Sequence, residues 1–102
     1  MTLIEALLRA HLRPASLPIE PADCYAPSRA ALARIPKADQ VATALERQAA
    51  THPCAVPPFP GTIVRLLRTH RYADFPALRL FYSVDEAAVR FLWIEEWDEM
   101  EG

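Results

Sequence analysis

The stretch Leu78-Arg79-Leu80-Phe81-Tyr82-Ser83-Val84-Asp85 decides the fold of this chain of 102 residues. Its aliphatic and aromatic residues are typical of a β-strand, and Asp85-Glu86-Ala87 is short enough to be a hairpin turn. A similar run follows the turn at residues 88–97, and another precedes the stretch at residues 62–69. The pattern therefore predicts three consecutive antiparallel strands, the second of them over residues 77–84.

Two helices are predicted before the strands, because apolar residues recur there at helical spacing. The first covers residues 28–34, with Ser28 as its N-cap, and the second covers about residues 37–51 and ends at His52-Pro53. The residues expected on the buried side are Ala31, Leu32, Ile35, Val41, Ala44, Leu45, Gln48 and Ala49. Helices followed by strands indicate an α+β domain in which a helical hairpin covers one face of a small antiparallel sheet.

Residues 1–13 are predicted to form an extra N-terminal helix. Thr2 and Glu5 match a capping box, and the apolar stripe consists of Leu3, Ile4, Leu7, Leu8 and Leu12. Three roles stay open for this helix: packing on its own sheet, filling a groove in which a partner helix would lie, or forming a homodimer. The proline-rich connector after it has room for one short strand, at residues 17–19 or 23–26.

The composition indicates a single domain with one modest core. Hydrophobic residues make up 52% and charged residues 24% of the chain, which argues against disorder, and 102 residues suit one domain. The apolar runs are too short to span a membrane, and the first residues lack the features of a secretory signal. We therefore expect a cytoplasmic protein with no membrane contact.

Metal and cofactor chemistry has little support in the sequence. The chain has two glycines, of which only Gly61 lies in its interior, so glycine-rich phosphate loops are excluded. Cys24, Cys54 and the three histidines lack the spacing of a zinc site, which predicts two free thiols. No metal and no other cofactor is expected.

The charge is divided unequally along the chain. Its net value is -2, but residues 1–94 carry +3 and residues 95–102 carry -5, so the chain ends in an acidic tail. Five arginines fall in the C-terminal half: Arg65, Arg68, Arg71, Arg79 and Arg90. Their guanidinium groups can bind phosphate, form ion pairs with the tail, or lie solvated on the sheet. The acidic balance does not favour a general nucleic-acid binder.

This order of elements, with several short motifs, resembles the RelE/ParE toxin superfamily of type II toxin–antitoxin systems. The motifs are Cys24-Tyr25-Ala26-Pro27-Ser28 at the first strand and the start of the hairpin, Leu32-Ala33-Arg34-Ile35-Pro36 at its corner, residues 45–53 at the end of its second helix, and the stretch from Leu78 to Asp85. The resemblance covers about residues 24–98 and leaves residues 1–13 as an N-terminal extension. It implies one domain with a helical hairpin packed on an antiparallel sheet.

The resemblance also implies a bacterial toxin that a cognate antitoxin neutralises. Members of the family act on translation, by cleaving mRNA at the ribosome without a metal, or on DNA gyrase. RNA cleavage needs a base, an acid and cations around the scissile phosphate. The candidates for these roles in an mRNA interferase are Arg79, Arg65, Arg68, His70 and Tyr72. Arg65 and Arg68 are three positions apart, so a regular strand places them on opposite faces.

The C-terminus departs from the pattern of the RNA-cleaving members, which have arginine or histidine and then tyrosine after the last strand. This chain has Glu95 and Glu96 there, and carboxylates repel a phosphodiester. The alternative is therefore a catalytically silent relative that binds or regulates a protein. The candidates for partner contacts are Trp93, Trp97 and Tyr82, although all three also suit burial in the domain. A sheet surface occupied by the chain's own tail would favour this alternative.

Overall fold

The computed structural model describes residues 17–99, which form a compact α+β domain. Along the chain the elements are β1 (Ile19–Pro21), α1 (Tyr25–Ala31), a 3₁₀ turn (Leu32–Arg34), α2 (Ala38–Thr51), β2 (Val64–Arg68), β3 (Leu78–Val84) and β4 (Val89–Glu96). The helix predicted for residues 1–13 and the last three residues of the acidic tail lie outside the described residues. Within residues 17–99, no helix is both long enough and apolar enough to cross a membrane.

The four strands form one mixed sheet in the order β1-β4-β3-β2. β2 pairs antiparallel with β3, and β3 with β4, which confirms the predicted run of three antiparallel strands. β1 pairs parallel with β4, so the prediction of a wholly antiparallel sheet is wrong at this edge. Both helices and two strands separate β1 from β4 in the chain, and this long connection lets β1 run in the direction of β4.

The first strand and the first helix differ from their predicted positions. The observed strand overlaps the predicted range 17–19 only at Ile19. The segment Cys24–Ser28, which was expected to contain the first strand, instead contains the start of α1 at Tyr25. Ser28 is not an N-cap, because it lies inside α1 and is 3% exposed. Its Oγ donates to the Tyr25 carbonyl at 2.8 Å and accepts from the Ile94 amide at 3.1 Å. The serine therefore links α1 to the sheet.

This link covers an edge of β4 that β1 leaves free. β1 has three residues and pairs with β4 only from Val89 to Phe91, so the rest of that edge has no strand beside it. There Ser28 accepts from the Ile94 amide, and the Cys24 thiol lies 3.0 Å from the Leu92 carbonyl. Unpaired backbone groups at a sheet edge must find other partners. Ser28 of α1 and Cys24, the residue before α1, supply them.

The core lies between the helices and one face of the sheet. α2 contributes Ala38, Ala42, Leu45 and Ala49, and the sheet contributes Leu67, Leu78, Leu80, Tyr82, Val89, Phe91 and Ile94. Of the predicted inward residues, Leu32, Leu45 and Ala49 are buried and Ile35 and Val41 half-buried, whereas Ala31, Ala44 and Gln48 are exposed. The buried stripe of α2 is Ala38, Ala42, Leu45 and Ala49, which recur at three- and four-residue spacing, so Ala44 and Gln48 lie away from the sheet.

The strands are slightly shorter than predicted, and β4 contains a bulge. Phe81 pairs with Trp93, but the next residue, Tyr82, pairs with Phe91, so Leu92 is an extra residue on β4. A bulge of this kind changes which side of the sheet the following residues face. It allows both Phe91 and Ile94, three positions apart, to point into the core.

The turn between β3 and β4 is held by Asp85. One carboxylate oxygen accepts from the amides of Ala87 at 2.8 Å and Ala88 at 2.9 Å, and the other pairs with Arg90. The two amide bonds, together with Arg90, lower the pKa of Asp85 from its ordinary value of 3.8. The charged carboxylate therefore stabilises the hairpin.

We expect Asp85→Asn to lower the stability measured by urea unfolding at pH 7, since asparagine keeps an acceptor for the amides but loses the charge. Because the folded-state pKa is depressed, the contribution of the charge is full above 3.8 and is lost as the pH falls through the lower folded value. The gap between variant and wild type should therefore close in acid. Glu86→Gln removes an equal charge at the next, exposed residue and is the control. A gap that is constant with pH would contradict this role of the charge.

We expect Ser28→Ala to destabilise the domain by about 1–3 kcal/mol, because it leaves the Ile94 amide without its acceptor beside the core. Cys24→Ala is the control on the same edge, and it should cost less, since Cys24 is exposed and water can replace its weak thiol donor. Denaturant unfolding of the two variants gives the comparison. A cost of Ser28→Ala no larger than that of Cys24→Ala would mean that the Ile94 amide does not depend on the serine hydroxyl.

Candidate functional site

The sheet has a second face, opposite the helices, which we call the open face. Strand alternation and the register of the sheet place on it Val64, Leu66 and Arg68 of β2, Arg79, Phe81 and Ser83 of β3, Arg90, Trp93 and Glu95 of β4, and Glu20 of β1. The intervening β3 residues, such as Leu80, point into the core with α2. Among the described residues, the open face is the side of the sheet that no helix covers.

The side chains of the open face form three rows across the strands. Toward the β3–β4 hairpin lie Val64, Ser83, Arg90 and Glu20; in the middle lie Leu66, Phe81 and Trp93; at the far end lie Arg68, Arg79 and Glu95. We call the second of these the middle row. Trp93 is 40% exposed, and Leu66 and Phe81 are half-buried. An apolar row thus lies between two rows that carry charges.

The far row is held by an ion pair between Arg79 and Glu95. Arg79 Nε donates to Glu95 Oε2 at 2.6 Å, and the other oxygen of Glu95 accepts from the indole N–H of Trp93 at 2.7 Å. The Arg79 guanidinium also lies 5.7 Å from the centre of the Phe81 ring. Glu95 therefore fixes both the arginine and the tryptophan on the open face.

Residues 95–99, which we call the C-terminal strap, cover the segment after β2. The amide of Trp97 donates to the Ala77 carbonyl at 3.1 Å, and its indole N–H donates to the Thr69 carbonyl at 2.9 Å. The Trp97 ring lies 5.2 Å from the Arg68 guanidinium and 5.9 Å from the His70 ring. The strap is therefore held by hydrogen bonds as well as by charge.

Two carboxylates of the strap face His70 and Arg71 in the segment after β2. Glu99 lies 3.3 Å from His70 Nδ1 and accepts the backbone amide of Arg71, and Glu96 lies 3.8 Å from the Arg71 guanidinium. At the other end of the open face, Arg90 pairs with Asp85 and lies 3.3 Å from Glu20. These carboxylates raise the pKa of Arg90, Asp85 most of all. At both ends of the open face, an arginine therefore lies beside carboxylates of the same chain: Arg71 at one end and Arg90 at the other.

The predicted catalytic residues are not all on one surface. Arg68 and Arg79 are cross-strand neighbours on the open face. Arg65 points to the helix side, where it donates to the Val56 carbonyl at 2.5 Å, as its spacing from Arg68 predicts. His70 lies against the strap, and Tyr72, 78% exposed, lies in the loop between β2 and β3.

The predicted partner-binding residues also separate. Tyr82 is fully buried, its hydroxyl donates to the Pro53 carbonyl at 2.9 Å, and burial raises its pKa. Trp97 belongs to the strap, and Trp93 is 40% exposed and lines a groove with Pro27, Ala31 and Leu32 of the helical hairpin. Leu66 and Phe81, which complete the middle row, were not singled out from the sequence. The alternation of Phe81 with buried Leu80 and Tyr82 is the signal that places it on this face.

On the helix side of the sheet, a groove lies between β1 and the helices. Its walls are formed by Ile19, Pro21, Tyr25, Ala26, Ala30, Ala33 and Phe91. Its polar groups bind one another: the Tyr25 hydroxyl donates to Glu46 at 2.6 Å, and Arg29 contacts Glu46 at 3.4 Å and Asp39 at 2.8 Å. Burial and then Glu46 raise the pKa of Tyr25. This network joins α1 to α2.

Comparisons of the chain with protein-family models, with curated proteins and with solved structures find no match. Membership of the RelE/ParE superfamily therefore stays a prediction, and a function has to be argued from the site itself. Among residues 17–99, no three side chains of His, Cys, Asp or Glu are grouped as metal ligands would be. The open face, with its apolar middle row and paired charges, is the candidate site.

We expect the coupling energy between Arg79 and Glu95 to be below about 1 kcal/mol, because both side chains are about one-third exposed and water screens the pair. A double-mutant cycle with Arg79→Gln and Glu95→Gln, measured by urea unfolding, gives this energy. A coupling several times larger would mean that the pair is needed for folding. A small coupling makes Glu95→Gln a folded variant in which Arg79 is free.

Proposed function

We propose that this protein is a non-catalytic binding protein of the RelE/ParE-like type, which binds a protein partner on the open face of its sheet. The observation that carries the proposal is the pairing of Arg79 with Glu95. Arg79 matches the strand arginine that the family's RNases direct at the scissile phosphate. In this chain the same guanidinium is engaged by a carboxylate of the next strand.

The electrostatics of the open face support binding over phosphodiester cleavage. An RNase site needs unpaired cations that stabilise extra negative charge in the transition state. Here Glu95 lies beside Arg79, and Glu96 lies beside Arg71, whose backbone amide Glu99 accepts. These carboxylates cancel the positive potential and repel the phosphate groups of an RNA strand.

The middle row supports a protein as the partner. Tryptophan and arginine are the residues most enriched at the energetic centres of protein interfaces, and such centres are apolar with a polar rim. Phe81 lies on the central strand of the open face, Trp93 lies beside it on β4, and Arg79 and Arg90 lie in the rows on either side. A partner with apolar side chains at its centre and charges around them would complement this arrangement.

A toxin remains the second candidate, because Arg68 and Arg79 are neighbours on one uncovered face and Tyr72 is 78% exposed. In this case an antitoxin would neutralise the protein, and the target would be ribosome-bound mRNA or DNA gyrase. Action on gyrase does not need the nuclease residues, so it is compatible with the pairing of Arg79.

Induced expression in bacteria separates these candidates. We expect normal growth and no new 5′ ends in ribosome-bound mRNA, both for the wild-type chain and for Glu95→Gln. Growth arrest with new 5′ ends that are lost in Arg79→Ala would establish an mRNA-cleaving toxin and overturn the proposal. Arrest without new ends, together with inhibited supercoiling by purified gyrase, would establish the gyrase-directed form.

Partner capture tests the open face directly. We expect cross-linking in cells of the source organism to recover a partner with the wild-type chain and to lose it with Trp93→Ala. The matched control is Phe59→Ala, which removes an aromatic side chain of similar exposure, 44%, from the loop before β2. Recovery of the same partner with both variants would show that it binds outside the middle row.

A further inference from the structure

We propose that the protein partner of the open face is a second copy of this chain, bound face to face about a two-fold axis that runs along the middle row. The inference rests on the proposed function, because it takes the open face as a protein interface, and it names the occupant. Two observations carry it: the apolar middle row, and charges of opposite sign at equal distances on either side of that row.

The middle row differs from the usual outer face of a sheet. An antiparallel sheet with one covered face normally carries polar side chains on the other. Here Leu66, Phe81 and Trp93 are in register on three neighbouring strands, and Trp93 is 40% exposed. The same row on a second copy offers an apolar surface of equal length, so two rows packed on each other remove both from water.

β4 places opposite charges on the two sides of the middle row. In the register, Glu95 lies opposite Arg79 and Arg90 lies opposite Ser83, and both of these β3 residues are two positions from Phe81. Glu95 and Arg90 are therefore about 7 Å from the row, one in each direction along the strand. They are an odd number of positions apart, so the bulge in β4 is what puts both on one face.

A two-fold axis along the middle row matches these charges. It lays β4 of one copy over β4 of the other in the opposite direction, so that Glu95 of each copy lies over Arg90 of the other. Stacked sheets are about 10 Å apart, a distance that two such long side chains can bridge. The other face-to-face arrangement, with its axis along β3, places Arg79 over Arg79 and is disfavoured by like charge.

The ion pairs within each copy extend across this interface. Glu95 already binds Arg79, and Arg90 already lies 3.3 Å from Glu20. The dimer joins them into two lines of alternating sign, each formed by Arg79 and Glu95 of one copy and by Arg90 and Glu20 of the other. Complementarity of this kind selects one partner and one orientation.

The size of the face sets the strength of the dimer. The sheet is four strands wide, and with a length of about five residues the face measures roughly 20 Å in each direction. Two such faces bury about 800 Å² in total, which is at the low end for protein interfaces and suits a weak dimer in exchange with the monomer. We therefore expect self-association to increase with protein concentration.

Charge exchange between two variants tests the pairing. Sedimentation velocity of the full chain, from micromolar to millimolar concentrations in reducing buffer, gives the self-association. We expect Glu95→Lys and Arg90→Glu each to weaken it about tenfold or more, since each creates two like-charge contacts in the dimer. An equimolar mixture of the two variants should recover the wild-type association, because opposite charges then meet at both positions.

A second pair of variants tests the middle row and does not depend on the folding of Arg90→Glu, which adds a carboxylate beside Asp85. Phe81→Ser removes an aromatic side chain from the row and should abolish self-association. Phe59→Ser removes an aromatic side chain that is 44% exposed in the loop before β2, and it should leave self-association at the wild-type level. Circular dichroism checks that each variant is folded.

Three results would overturn the inference. A chain that is monomeric at every concentration would show that the face does not bind a second copy. Self-association that Phe81→Ser leaves unchanged would place the dimer contact elsewhere, and a mixture no stronger than either variant alone would exclude the two-fold arrangement. A monomeric chain that still loses its captured partner with Trp93→Ala would leave the proposed function intact. A nuclease result in the growth experiment would instead overturn the proposed function, whatever the measured self-association.

Discussion

The architecture depends on how the free edge of β4 is satisfied. β4 has eight residues and β1 only three, so more than half of that edge has no strand beside it. Ser28 and Cys24 take its place, and this fixes α1 along the edge and the hairpin on one side of the sheet. Within residues 17–99, the same arrangement leaves the other side of the sheet free of helices. The existence of an open face is therefore a consequence of the edge that α1 has to cover.

The open face combines an apolar centre with charges that the chain itself balances. Glu95 engages Arg79, and Arg90 lies between Asp85 and Glu20. Arginines held in this way keep their hydrocarbon parts and hydrogen-bonding capacity for a protein surface but lose much of their attraction for phosphate. The chemistry that this face offers is recognition through shape and apolar contact, with charge acting mainly on specificity.

The sequence predicts the strands well because β2, β3 and β4 are rich in β-branched, aliphatic and aromatic residues, and each predicted range contains the observed strand. It does not place β1, since Ile19–Pro21 is short, exposed on every residue and ends in proline. The prediction of Ser28 as an N-cap is wrong because its hydroxyl accepts from the Ile94 amide of β4 instead of from an amide at the start of its own helix. The opposite orientation of Arg65 and Arg68 follows from spacing alone. The middle row could not be predicted, because it depends on the register of three strands and on the bulge.

Because of the bulge at Leu92, the open face depends more on the number of residues in β4 than on which side chains they carry. The extra residue allows Arg90 and Trp93, an odd number of positions apart, to face the same side of the sheet. Loss of this single residue would turn one half of β4 over, sending either Trp93 or Arg90 toward the core. A substitution on the face therefore changes one side chain, whereas a deletion between the hairpin and the tryptophan changes which side of the sheet several side chains occupy.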